Sequence, residues 1–133
     1  MRLGKPIEEL PPGVAVLGWQ QEYTASHSFK ATTLTDAATI AWDLSINQVA
    51  KVTLGGNRAL GNPTNGKDGG VYILFVTQDG TGSRTLSYDS NVYKWPTGGL
   101  TPVLTTSANR TDILTFVSLG GKMYGSVAFN YVA

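Results

Sequence analysis

The sequence predicts an all-β fold: an antiparallel β-sandwich of jelly-roll type, with about eight strands and an extended N-terminal arm. Three observations lead to this prediction. From Ser28 onward Val, Ile, Thr, Tyr and Phe dominate. Turn residues interrupt them roughly every eight to twelve positions, as in sandwiches. Finally, two β-like runs meet across the pair Gly120-Gly121.

The chain of 133 residues is long enough for one domain with a sizeable core. We divide it into an extended arm, 1–25, and a sandwich domain, 26–133. The arm contains Pro11-Pro12-Gly13, which cannot lie inside a helix or a central strand. Its apolar residues indicate either an anchor on another protein or a first strand packed on its own domain, and they are Val14, Val16, Leu17 and Trp19.

The predicted strands are 28–34, 38–43, 48–54, 71–78, 84–88, 103–106, 111–119 and 122–131. The continuous apolar run 71–76 indicates a central strand that is covered on both faces. Because a two-sheet sandwich has one inner face per strand, the second cover must come from elsewhere. It is either a neighbouring subunit or the segment 14–17 of the same chain.

The pair Gly120-Gly121 predicts a tight type I′ hairpin, because both central positions of that turn need positive φ. Alternation on the second strand assigns one shared face to Met123, Gly125, Val127, Phe129 and Tyr131. The segment 52–56 echoes 117–121, each ending in Gly-Gly, and we interpret the two as similar turns.

Composition excludes several classes of function. The net charge is +1 with no basic run, so nucleic acid is not expected as a partner. Cysteine is absent, which excludes disulfides and thiolate chemistry. No apolar run approaches the roughly 20 residues that span a bilayer, and no signal peptide is expected. Charged residues make up only 14%, which indicates surface hidden in an assembly or a Thr/Ser/Asn-rich polar surface.

Catalytic patterns are missing from the sequence. The single histidine, His27, has no Gly-x-Ser-x-Gly motif to accompany it, and the carboxylates are scattered. The segment 79–83 supplies one carboxylate, too few for calcium, and we interpret it as a glycine-rich turn. We therefore expect no enzyme activity, no cofactor and no metal site.

Aromatic residues are the remaining candidates for binding, because Tyr and Trp combine rigid area with a polar tip. The candidate binding or interface residues are Trp19, Tyr72, Tyr93, Lys94, Trp95 and Tyr124. The segment 93–96 is either an exposed recognition loop or a loop folded over the end of the sandwich with Trp95 as its plug.

Six segments in order resemble a β module of tailed-phage and prophage structural proteins, often found at the C-terminal end of tail-fibre-like proteins. They are 38–43, 52–60, 62–70, 78–86, 93–96 (Tyr93-Lys94-Trp95-Pro96) and 108–116. The resemblance covers roughly residues 30 to 131.

The resemblance implies a non-enzymatic virion protein displayed on the particle as an oligomer, with three copies expected. Its partners would be itself, other capsid or tail proteins through the arm, and a host surface glycan or protein. It would be made in the host cytoplasm and carried in the virion. The alternatives are a head-decoration protein that cements the capsid and a carbohydrate-binding module.

Overall fold

The structure, a computed structural model, describes residues 18–133. The arm residues Val14, Val16 and Leu17 lie outside this part of the chain. The described strands are β1 (Ala31–Thr33), β2 (Thr39–Ile40), β3 (Val49–Leu54), β4 (Arg58–Leu60), β5 (Val71–Gln78), β6 (Leu86–Tyr88), β7 (Tyr93–Lys94), β8 (Arg110–Leu119) and β9 (Lys122–Val132). One short helical turn, α1 (Pro96–Gly99), lies between β7 and β8. The all-β prediction is confirmed.

The strands form a six-stranded sheet of order β1-β3-β5-β8-β9-β7 and a three-stranded sheet of order β2-β4-β6. Along the chain, β1, β3 and β5 belong to the six-stranded sheet, and β2, β4 and β6 belong to the three-stranded sheet. Within each set of three, neighbouring strands pair in parallel. The result is three stacked coils: β1–β2, β3–β4 and β5–β6. This is a short β-helix. The sheets are therefore mixed, whereas the sequence predicted antiparallel pairing throughout.

A third side completes the coils. Asp43 in the first coil forms a parallel bridge with Thr64 in the second. Around it, the Leu44 amide donates to the Thr64 carbonyl (2.9 Å), and the Thr64 amide donates to the Trp42 carbonyl (3.0 Å). Backbone groups between two turns are thus paired without a regular strand.

A long antiparallel hairpin, β8 and β9, follows the coils. β8 pairs with β5 over Val71–Thr77 and with β9 over most of its length. The turn confirms the sequence prediction, because Gly120 and Gly121 both have positive φ, 59° and 75°. The hairpin covers the hydrogen-bonding edge of β5 in the third coil, while β6 remains the edge of the three-stranded sheet.

A β-bulge in β9 makes the predicted orientation of Tyr131 wrong. The register shifts between Thr111 and Ile113, and Asn130 has a positive φ of 69°. Two residues of β9 therefore stand opposite Asp112, and the alternation is reversed beyond them. Tyr131 pairs with Thr111 and lies on the outward face, opposite to the face that strict alternation gave it.

The core lies between the sheets and is rich in aromatic rings. Phe116 of the hairpin is fully buried. Its ring is 5.7 Å from that of Trp42 in the first coil, 5.5 Å from Tyr93 and 5.4 Å from Trp95. Edge-on and tilted contacts at these distances are favourable for aromatic rings. Phe116 therefore joins the hairpin to the coils.

The predicted strand 103–106 is wrong, since it has no ladder partner. Two buried polar side chains hold this segment instead. Gln78 donates to the Thr105 carbonyl (2.8 Å), and Asp112 accepts from the Thr105 amide (2.7 Å) and hydroxyl (2.8 Å). Side-chain partners thus satisfy the backbone groups that a ladder would have used.

The two Gly-Gly pairs differ in the structure, contrary to the interpretation of two similar turns. Gly55 and Gly56 join β3 to β4 across a corner between sheets. A Cβ there would come within 2.8 Å of an Asp36 oxygen or 2.7 Å of an Arg58 nitrogen. These glycines make room for the Asp36–Arg58 ion pair (2.8 Å), while Gly120 and Gly121 supply the positive φ of a hairpin.

The outward face of the six-stranded sheet is apolar and open within the described residues. On β5, Tyr72, Leu74 and Val76 are buried, and the alternate positions face outward. The outward residues of β5, β8 and β9 form rows across the sheet, the first being Val71, Val117 and Tyr124. We call this surface the outer face. Its most exposed apolar members are Val71, Phe75, Val117, Leu119, Tyr124 and Tyr131.

Candidate functional site

A cavity of about 330 Å³ lies beside the edge strand β7. Four aromatic side chains line it: Tyr88, Tyr93, Trp95 and Tyr124. Its polar lining includes Ser90, Lys94 and Thr101. We call it the aromatic cavity. Four of the six candidate residues predicted from the sequence meet here, namely Tyr93, Lys94, Trp95 and Tyr124.

A capped turn positions one side of the aromatic cavity. The turn follows β6, and Asp89 organises it by accepting from the Asn91 amide (2.9 Å) and from the Asn62 side chain (2.9 Å). The Asp89 carbonyl also accepts from the Tyr93 amide (2.9 Å). The chain then pairs in parallel with β9, so that Lys94 stands beside Tyr124.

The opposite wall is the segment that follows β7. Trp95 is extended (φ −114°), and Pro96 begins the helical turn α1. Thr97 has φ 58° and ψ 47°, a left-handed conformation that non-glycine residues seldom adopt. Gly98 and Gly99 also have positive φ. Such a strained backbone persists only where its surroundings hold it, and it is frequent at binding sites.

The polar tips of the aromatic residues differ in their hydrogen bonding. The Tyr93 hydroxyl donates to the Gly61 carbonyl (2.6 Å). The Tyr88 hydroxyl and the Trp95 Nε1 are buried and have no hydrogen-bond partner among residues 18–133. The two rings meet edge to face at 4.9 Å. Burial raises the pKa of Tyr88, and the charge of Asp112 raises it further. The Tyr88 hydroxyl therefore remains protonated and able to donate.

The charges around the aromatic cavity are already engaged. Lys94 Nζ donates to the Ser90 carbonyl (2.7 Å), and Lys122 Nζ donates to the Asn91 carbonyl (2.6 Å). The hydrogen bond from Asn62 lowers the pKa of Asp89, followed by that from Asn91 and then by the charges of Lys122 and Lys94. Asp89 therefore stays ionised beside these two cations, and the lining has no isolated charge.

Two candidate residues lie away from the aromatic cavity. Tyr72 is buried, and its hydroxyl accepts from the Lys67 amide (3.1 Å), so this side chain supports the loop 61–70 and offers no exposed surface. Trp19 is 41% exposed in the segment 18–30, which has no strand. Trp95 is only 8% exposed, as expected of a plug at the end of the core.

Tyr88 is the aromatic residue of the cavity lining that was not among the candidates predicted from the sequence. Position 88 belonged to a predicted strand, but the sequence carries no sign that its hydroxyl is buried beside Trp95. That neighbourhood results from the pairing of β6 with β4 and of β7 with β9.

Other chemistry-bearing residues have structural partners. His27 lies in the exposed segment 18–30 and stacks on Tyr23 at 4.3 Å. Asp79 accepts from the Thr81 and Gly82 amides and pairs with Arg84 (2.9 Å), which makes 79–83 a capped turn. Within residues 18–133 no three His, Asp or Glu side chains come together as a metal site would require.

Comparison with known families identifies the class of protein. Residues 33–123 match the family described as "Putative phage tail fibre C-terminal domain". The match covers more than half of the chain, from the first coil into the hairpin, and the chain belongs to this family. No curated protein and no solved structure matched the chain. Membership confirms the resemblance drawn from the sequence.

The family sets the general role. A tail fibre domain is a structural part of the phage tail, associates with other tail proteins and is located in the virion. Membership of this family points to a structural role for this chain. No helix in the described part of the chain is long and apolar enough to cross a membrane.

Proposed function

We propose that this chain is the host-facing module of a tail fibre and that it works as a homotrimer packed through its outer face. The outer face, which is open within residues 18–133, is the observation that carries the proposal. Val71 is 45% exposed, Val117 46% and Tyr124 51%, although all three lie in one row on adjacent interior strands of the six-stranded sheet. Apolar patches of this kind usually mark interfaces.

Charge favours a second copy of this chain as the occupant. The outward positions of β5 hold Val71, Ile73, Phe75 and Thr77, and their partners on β8 hold Val117, Thr115, Ile113 and Thr111. None of these is charged, and the nearest cations are Lys51, beside Phe75 on β3, and Lys122 at the hairpin turn. A surface without charge suits contact with an identical surface, since closed symmetry brings the same patch together in every copy.

Light scattering on the purified chain tests the trimer. The expected mass at micromolar concentration is that of three subunits. Phe75→Lys places a charge in the outer face and should yield a folded monomer. Val103→Lys is the matched control, because Val103 is 78% exposed and lies outside that face. A one-subunit mass for the unmodified chain would contradict the trimer and favour segment 14–17 as the cover.

The segment before β1 fits an attachment arm. Residues 18–30 contain no strand, and Trp19, Tyr23 and Phe29 are all more than 40% exposed. Exposed rings on an extended segment offer contact area to another tail protein. A chain lacking residues 1–24 should keep its fold and its oligomeric mass but lose attachment to the particle. Aggregation of the truncated chain would assign the arm to the domain or its interface.

Host contact is tested by competition. The purified protein should reduce adsorption of its phage to host cells in proportion to its concentration. A chain that leaves adsorption unchanged, yet binds expanded capsids lacking it and stabilises them, would instead be a head-decoration protein. Heat-denatured protein at the same concentration is the control for non-specific effects.

A further inference from the structure

We propose that Asn65-Gly66 is a site of spontaneous deamidation and that its product loosens the joint between the first two coils. The pair lies in the loop 61–70, directly after Thr64, the residue that bridges to Asp43 in the first coil. The reaction concerns this one exposed loop and does not depend on the trimer or on host contact.

Deamidation at an Asn-Gly pair uses the chain's own backbone as the nucleophile. The amide nitrogen of Gly66 attacks Cγ of Asn65, the bond from Cγ to Nδ2 breaks, and the nitrogen that leaves takes up the amide proton as ammonia. The product is a five-membered succinimide ring. Water opens the ring at Cγ to give aspartate, or at the main-chain carbonyl carbon of residue 65 to give isoaspartate. Water is the only co-reactant.

The Gly66 amide is free for this attack. It donates no hydrogen bond within residues 18–133, whereas the neighbouring Thr64 amide is bonded to the Trp42 carbonyl. Asn65 and Gly66 are both exposed, so water reaches them. Glycine has no Cβ to shield the approach of its nitrogen. The Asn65 side chain is held by one exposed hydrogen bond, from Nδ2 to Oδ1 of Asp43 (2.9 Å), which costs little to break.

The local structure favours both members of the pair. Asn65 has a φ of 59°, in the left-handed region that Asn and Gly tolerate best. At Gly66 an added Cβ would lie 3.1 Å from Cδ1 of Leu44, closer than an ordinary contact. Leu44 is buried and has little room to move away. The residues that suit this turn are therefore also the pair that deamidates most readily.

The product places two carboxylates where the structure has a hydrogen bond. Oδ1 of Asp43 accepts from Asn65 and from the amide and hydroxyl of Ser45. The hydrogen bond from Asn65, and then those from Ser45, lower the pKa of Asp43, so this carboxyl is ionised at neutral pH. An aspartate at position 65 removes one donor and adds a like charge beside Asp43. The third side of the coils thus loses a link between the first and second turns.

Isoaspartate disturbs the same joint through the backbone. It lengthens the main chain by one carbon directly after Thr64, whose amide and carbonyl pair with the first coil. A virion protein is not replaced after assembly, so both products accumulate as the particle ages.

Peptide mapping by mass spectrometry follows the reaction in the folded, unmodified chain. The peptide that contains Asn65 should gain the mass difference between an amide and an acid and separate into aspartate and isoaspartate forms. The rate should rise with pH, because the attacking amide must lose its proton. Asn109 is the internal control, since it is exposed, has a φ of 60° and precedes Arg110 instead of glycine.

We expect Asn109 to remain an amide over the period in which most of Asn65 converts. Conversion of Asn65 no faster than that of Asn109 would overturn the site. Conversion that occurs in denaturant but not in native buffer would overturn it as well, because the folded loop would then be protected.

Thermal melts measure the effect on the coils. An aged sample of the unmodified chain should melt at a lower temperature than a fresh one. Asn65→Gly keeps the positive φ and has no side-chain amide to lose, so its aged and fresh samples should melt alike. An equal fall with age in both proteins would overturn the assignment of the effect to Asn65.

A double-mutant cycle tests the repulsion between the two carboxylates. Asn65→Asp reproduces the aspartate product and should lower the melting temperature at pH 7, with the loss shrinking as pH falls below about 4. In an Asp43→Asn background the same substitution should cost much less, because the like charge is gone. Equal losses in the two backgrounds, or no loss in either, would overturn the proposed loosening of the joint.

Discussion

The three coils and the closing hairpin achieve order by different means. The coils consist of strands as short as two residues, and their ladders join positions far apart in the chain, such as Val49 with Ile73. The hairpin joins neighbours across two glycines through strands of ten and eleven residues. The coils depend on hydrogen bonds from side chains at their turns, whereas the hairpin depends on turn geometry and a nearly continuous ladder. Local and non-local pairing thus coexist in one core.

The largest loss of unfolding free energy is expected where the hairpin packs against the coils. Phe116→Ala removes the ring that contacts Trp42, Tyr93 and Trp95, and it should cost about 3–5 kcal/mol of unfolding free energy. Chemical denaturation measures the loss. Val103→Ala, at a residue that is 78% exposed and outside the outer face, is the control and should cost much less. A biphasic transition in Phe116→Ala would show that coils and hairpin unfold separately.

A polar substitution tests the coils. Gln78 is buried, and it donates to the Arg84 and Thr105 carbonyls and accepts from the Arg84 amide. Gln78→Leu leaves these groups unpaired, and we expect a cost of roughly 2–4 kcal/mol despite the gain in apolar surface. Gln48→Leu, at an exposed hydrogen bond, is the control. A neutral result for Gln78→Leu would mean that the hydrogen bonds from Asp112, together with packing, are enough to order 103–106.

The hairpin turn gives a smaller effect. Gly121 has φ 75°, where a β-branched residue is strained, although open space surrounds its Cβ position. Gly121→Val should therefore cost roughly 1–2 kcal/mol. Lys122→Ala, one residue further on, removes an exposed hydrogen bond to Asn91 and should cost less. Equal melting temperatures for the two variants would mean that the turn relaxes to another type.

The smallest effect concerns a corner of the coils and depends on pH. Arg84, followed by the Gly82 amide, lowers the pKa of Asp79 to about 2. A lowered carboxyl pKa stabilises the folded state above the unfolded value near 3.9, and this contribution is lost as pH falls toward 2. Asp79→Asn should be less stable than the unmodified chain at pH 7, and thermal melts should show the difference shrinking between pH 4 and 2. A constant difference would exclude the ionised form as the cause.

Sequence reasoning succeeded where pairing is local. The segments 111–119 and 122–131 differ from the observed β8 and β9 by a single residue at one end of each. It missed β4 and β7, short strands of three and two residues that no predicted strand covers. The parallel ladders were not predicted, because the sequence of one strand does not indicate which distant strand will pair with it. The predicted strand 103–106 failed because the side chains of Gln78 and Asp112 bind the Thr105 backbone groups that a ladder would have paired.

The aromatic cavity was predicted in part for the same reason. Tyr93, Lys94 and Trp95 are consecutive and follow a turn, so their grouping is visible in the chain. Tyr124 joins them only through the pairing of β7 with β9. The difference between the Tyr88 and Tyr93 hydroxyls depends on the position of the Gly61 carbonyl, which alternation along a strand does not determine.

The position of the hairpin at the C-terminal side of the coils has a consequence for biosynthesis. Its local contacts are the ones that form fastest in an emerging polypeptide, because little loop-closure entropy opposes them. The ribosome, however, completes this element after every residue of the coils. β5 is therefore translated before β8, its antiparallel neighbour. We expect this domain to fold only after translation of the hairpin, with its apolar strands in need of protection by chaperones until then.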